Sequence, residues 1–146
     1  AHPAATFGQP EVKLGVFAPA ASALLAERVG HAAAEDILLT GRTLSAEEAH
    51  RLGLVDALCE PAQAPVERAL EYAHQNLLEQ SRSALRFAAR AARQHRSEAL
   101  HARLRELEKL YLTELMKTPD ATEGIAAFLE KRTPNWSAPT KGHTSP

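Results

Sequence analysis

The sequence predicts a mainly α chain whose first 60 residues differ in kind, with short elements in tight turns ahead of long packed helices. Three observations lead there. Residues 1–60 hold five of the seven glycines, whereas residues 61–135 have Gly124 alone. That second stretch runs in Ala, Leu, Glu and Arg, all strong helix formers. Its apolar residues also recur at three- and four-residue spacings, the period of one helix face.

Taken in order, residues 12–17 (VKLGVF) read as a short strand or extended stretch. Pro19 suits the first turn of a helix, which then runs through 20–29 and stops at Gly30. A second helix fits 31–39, ended by Gly41. Ser45 followed by Glu48 is a capping box, in which the hydroxyl accepts from a first-turn N–H and the carboxylate reaches back. Gly53 closes that short helix in the left-handed conformation. Residues 54–58 (LVDAL) read as a short buried strand.

Beyond residue 60 the helices are plainer. Val66, Leu70, Ala73 and Leu77 share one face. A helix over 81–94 places Leu85, Ala88 and Ala92 together. Leu100, Leu104, Leu107, Tyr111 and Leu115 form the longest stripe. Thr118-Pro119-Asp120 reads as an N-cap followed by proline at the first helical position, opening a last helix to about Lys131. Residues 137–146 (SAPTKGHTSP) are a polar tail expected to be disordered.

The totals narrow the function classes. With 146 residues, 45% hydrophobic and 24% charged, the chain has the balance of a globular protein. A net charge of −1 sets up no field favouring nucleic acid or an anionic membrane. The single cysteine, Cys59, excludes an internal disulfide framework and fits a reducing cytoplasm. No apolar run nears the roughly 20 residues of a membrane span, and no signal segment opens the chain. It begins at Ala1 without methionine, which fits trimming, a tag or a fragment equally.

The seven histidines (2, 31, 50, 74, 95, 101 and 143) show no ligand spacing, so no metal is expected. Cys59 has no visible activating base and reads as a small half-buried side chain. Arg82, Arg86, Arg90, Arg93 and Arg96 form a basic stripe that reads first as a solvated face, and second as a phosphate or subunit contact. Glu11 stands apart. It is a lone carboxylate among Phe7, Val12, Leu14, Val16 and Phe17. Burial between apolar walls is the setting in which a carboxyl can both give and take a proton.

The motifs FGQPEVKLGV, LLTGRTLSAEEAHRLGLVD and TPDATEGIAAFLEKRTPNW, in that order, resemble the C-terminal half of the enoyl-CoA hydratase/isomerase (crotonase) family. Within it, GQPEVKLGVFAPAAS most resembles the members that hydrate a cyclic dienoyl-CoA in anaerobic aromatic degradation. The resemblance implies an α/β fold overall: residues 1–60 as the last part of a ββα spiral, and 61–136 as a helical region that packs homotrimers or hexamers. It implies an acyl-CoA thioester as substrate, with coenzyme A as part of the substrate and no separate cofactor. It gives Glu11 the role of delivering a proton to carbon. Phe128 and Lys131, in the FxEKR motif, are implied to meet coenzyme A, commonly on a neighbouring subunit.

The family's first glutamate and its oxyanion donors would precede Ala1. The expectation is therefore a C-terminal fragment, inactive alone, with an N-terminal half as a possible partner. One departure is at Ala18-Pro19-Ala20-Ala21-Ser22, where many members carry Pro-Gly-x-Gly-Gly and a glycine N–H helps hold the water. Proline has no N–H to give, so at Pro19 the water is expected to be held differently. The alternatives are a linear enoyl-CoA hydratase or isomerase, and a non-catalytic helical assembly fragment.

Overall fold

The computed structural model describes residues 1–137, with the backbone alone for 95–98. It is mostly helical, as expected. Strand β1 (Thr6–Gly8) leads into a 3₁₀ segment, Pro10–Leu14. Helices α1 (Pro19–Val29) and α2 (His31–Thr40) follow, then β2 (Thr43–Ser45), α3 (Ala46–Arg51), α4 (Pro65–Asn76), the long α5 (Arg82–Thr113), a second 3₁₀ segment (Leu115–Lys117) and α6 (Pro119–Leu129).

Several helix ends lie where the sequence places them. Pro19 opens α1, and Gly41, at φ 60°, closes α2 by donating its N–H to Ile37 O. Thr118 caps α6, its hydroxyl accepting from Ala121 N at 3.3 Å. The capping box at Ser45 is half made. The hydroxyl accepts from Glu48 N at 3.2 Å, but the Glu48 carboxylate turns to Arg42 at 2.8 Å. A charged donor makes the stronger hydrogen bond to a carboxylate than a neutral backbone N–H does.

Two expected strands are absent. Residues 12–17 fall in the 3₁₀ segment and the loop after it, because Pro10 favours a helical first turn and Gly15, at φ 70°, ends it. Residues 54–58 are a bend. Leu54 and Val55 pack on the core, and both their N–H groups turn back to Ala49 O. The strands that do form, β1 and β2, pair antiparallel with Phe7 opposite Leu44. They were not expected from the sequence, since three residues are too few for a readable alternation. The helix over 81–94 and the Leu100 stripe belong to one helix, α5, for no glycine or proline interrupts them. Of the expected tail, Ser137 is tied down through its N–H to Asp120 Oδ1 at 2.8 Å, and the rest lies outside the described residues.

The core is Leu25, Ala34, Ile37, Leu44 and Ala49, with Phe7, Val29, Leu38 and Leu52 around it. α1 packs on α2 and on α5, while α4 stands off from the other elements. Gly124 lets α6 meet the 3₁₀ segment backbone to backbone: a Cβ there would fall within 2.1 Å of Leu14 O. Trp136 lies over both Gly15 and Gly124.

Candidate active site

Glu11 sits in the first turn of the 3₁₀ segment, held by its own backbone. Its carbonyl accepts from Val16 N at 3.2 Å, and Val12 O accepts from Gly15 N at 3.2 Å. These bonds aim the side chain inward. The residue is half-buried, and its Oε2 is buried with no hydrogen-bond donor near it. It is the one such side-chain atom among the described residues. A buried carboxylate oxygen without a donor is costly to keep, so its position marks a place where a donor or a proton acceptor fits.

Glu11 lines a cavity of about 610 Å³ with Phe17, Pro19, Leu24 and Tyr111, and small alanines lie between them. Phe17 and Tyr111 meet edge to face, ring centroids 5.5 Å apart and planes at 72°. Glu11 and Pro19 thus line one cavity. No side chain caps the start of α1. The first-turn N–H groups of Ala20 and Ala21, which line the same cavity, have no acceptor within the helix.

Phe128 and Lys131 are not brought to this cavity. Phe128, on the outer face of α6, is 63% exposed. Lys131 is exposed just past the helix, in the left-handed conformation at φ 54°. Tyr111 was read from the sequence only as one position of an apolar stripe, and nothing in that stripe marks it as a cavity residue.

A larger hollow of about 710 Å³ lies between α4 and the bend after α3, lined by Phe7, Asp56, Arg68 and Tyr72 among others. Its carboxylate, Asp56, already accepts from Arg28 at 2.5 Å. The smaller cavity is therefore the one with a reactive group to spare.

Two further ion-paired clusters lie outside both. Arg42 bridges Asp36 at 2.5 Å and Glu48 at 2.8 Å, which holds the Glu48 carboxyl below its ordinary range. Arg132 grips Glu123 with two nitrogens at 2.5 and 2.9 Å, and Asn135 N donates to the same carboxylate at 2.7 Å. Arg132 first, and Asn135 second, lower the Glu123 carboxyl to about 2. This clamp lays residues 132–137 back across α6.

The other candidates take structural places. Cys59 is fully buried, more so than the half-buried expectation, and its N–H donates to Ala1 O. Arg82, Arg86, Arg90 and Arg93 are exposed, with Arg86 stacked over Phe87 at 5.2 Å. The Arg96 and His95 side chains and His143 lie outside the described residues. No group of three His, Cys, Asp or Glu able to hold a metal occurs among the described residues.

Comparison with known proteins bears on this geometry. The family model described as enoyl-CoA hydratase/isomerase matches residues 1–139. The chain is 52% identical over 136 residues to cyclohexa-1,5-dienecarbonyl-CoA hydratase of Thauera aromatica, covering 93% of this chain and 52% of that protein. It is 38% identical over 133 residues to 2,3-dehydroadipyl-CoA hydratase of Escherichia coli K12, covering 90% and 51%. Among solved structures, an enoyl-CoA hydratase/isomerase from Pseudoalteromonas atlantica superposes with a TM-score of 0.80 at 31% identity, covering 94% of this chain and 54% of that one. The chain spans about half the length of the curated relatives it matches.

Proposed function

Because the chain belongs to the enoyl-CoA hydratase/isomerase family, we propose that it forms part of an acyl-CoA hydratase in which Glu11 delivers a proton to carbon. The observation that carries this is that Glu11 lines a mainly apolar cavity while its buried Oε2 has no donor among the described residues. Water adds across a double bond conjugated to the thioester. Its oxygen bonds to the β-carbon, the π electrons move toward the thioester oxygen as an enolate, and the α-carbon then takes a proton from Glu11. A second carboxylate removes a proton from the attacking water, and backbone N–H groups steady the enolate oxygen. The likeness to the Thauera protein favours a cyclic dienoyl-CoA as substrate.

Hydration needs two carboxylates, and in this cavity Glu11 supplies one. We assign the second, together with the enolate-binding N–H groups, to a further segment of the complete hydratase, so that these 146 residues alone turn nothing over. Pro19 cannot donate to the water, and the open N–H groups of Ala20 and Ala21 are the nearest replacements. Phe128 and Lys131 serve coenzyme A from the outer face of α6, by contact with adenine and by charge on phosphate. The exposed apolar residues of α4 and α5 are covered in a homotrimer or hexamer.

The test is hydration of a cyclic dienoyl-CoA by the complete hydratase and its Glu11→Gln variant. The variant is expected to lose turnover by about 10²–10⁴-fold with its fold unchanged. Turnover by the 146-residue chain above that of its own Glu11→Gln control would overturn the division of labour.

A further inference from the structure

The cavity around Glu11 has one wall that comes from far along the chain. Tyr111 lies on α5, at the end of the half-buried stripe formed with Leu100, Leu104 and Leu107. α5 packs on α1, and this brings the Tyr111 ring against Phe17 at 72°. Edge-to-face pairs hold both rings in a fixed attitude, since the positive edge of one lies on the negative face of the other. The same lining includes the small side chains of Ala18, Ala20 and Ala21, which leave room that larger ones would fill.

We propose that Tyr111 is a specificity-determining residue of this site. Its ring, fixed by Phe17, is the wall on which the acyl group rests, and it favours a flat six-membered ring over a straight chain. This rests on reading the Glu11 cavity as an acyl-CoA site. The preference has two physical sources. A flat ring lies on an aromatic wall with its whole face in the offset-stacked contact that rings favour. It also has no internal rotations to lose, whereas a straight acyl chain must freeze each of its bonds to lie along the same wall. The wall discriminates by shape, leaving Glu11 as the polar group aimed at the reacting carbons.

Binding to the complete hydratase, measured by calorimetry with benzoyl-CoA and butyryl-CoA, tests this without any reaction taking place. Neither thioester has a double bond that the proposed reaction would hydrate. The wild-type protein should bind benzoyl-CoA more tightly. Tyr111→Ala and Tyr111→Leu should each shrink the ratio of the two Kd values about tenfold, and Tyr111→Phe should keep it. An unchanged ratio in the Ala and Leu variants overturns the proposal, as does equal weakening of both thioesters. Loss of the preference in Tyr111→Phe would overturn it too, since the hydroxyl and not the ring would then be selecting. Glu11→Gln separates the two readings. If it hydrates a dienoyl-CoA normally, the proton-donor role fails, while the Kd ratios still decide the role of Tyr111.

Discussion

Residues 16–59 and residues 65–94 both read as helix-rich, with apolar residues at helical spacing, yet they use that pattern differently. In the first region the pattern closes on itself. Leu44 is 1% exposed, Ile37 2%, and α1, α2 and β2 share one core. In the second, Leu70 is 56% exposed, and Val66, Leu78 and Phe87 also face outward. Periodicity therefore states that a face is to be covered, not what covers it. The first region holds a core of its own; the second leaves most of its apolar face exposed.

The largest effect that could break this contrast is on stability. Leu44→Ala should cost about 2–5 kcal/mol in urea unfolding, as expected for a buried leucine. Leu70→Ala should change the stability of the isolated chain by only about 0.5 kcal/mol or less. Under the homo-oligomer proposed above it should instead weaken self-association, read by sedimentation velocity or light scattering. Equal costs for the two would mean that α4 is covered within the chain.

A smaller effect sharpens the border between the regions. At Gly124 an added methyl would meet Leu14 O, which is backbone and cannot swing aside. Gly124→Ala should destabilise the protein by about 1–3 kcal/mol, as overpacking does, with the shift in midpoint accompanied by a change in Trp136 emission. An unaltered midpoint would show that α6 is free to slide on the 3₁₀ segment.

The smallest effect is on pH. The Glu123 carboxyl is held at about 2, below its ordinary 4.5, chiefly by Arg132. A lowered carboxyl stabilises the fold in its ionised form. Its contribution is thus complete above about 4.5 and is lost as pH falls toward about 2. Trp136, the sole tryptophan, is expected to report loosening of the strap within that window and none between pH 5 and 8. The pair is exposed, so added salt should shrink the change.

What could be read in the sequence follows the range of the forces involved. Helix ends set by Pro19, Gly41 and Thr118-Pro119 are local, and they stand where predicted. So does the inward setting of Glu11 among apolar neighbours. The pairing of β1 with β2 joins Thr6 to Ser45 and Gly8 to Thr43, far apart in the chain, and three-residue strands carry no pattern to announce it. Tyr111 reaches the cavity only because α5 runs unbroken and packs on α1. The bend at 54–58 misled because its apolar residues serve a core without serving a sheet. In the capping box, the motif was right about Ser45 and silent about Arg42, which is near in space as well as in sequence and offers Glu48 a charge.

Under the proton-delivering role proposed for it, the bare oxygen of Glu11 sets stability and activity against each other. No group of the described residues donates to that oxygen, and burial without a donor costs stability. Evolution could relieve that cost at any time with a neighbouring hydroxyl or amide, and the protein would gain robustness while the oxygen ceased to be available. Robustness is therefore the wrong quantity to maximise at this position, and a stabilised variant selected there would be a poorer acid.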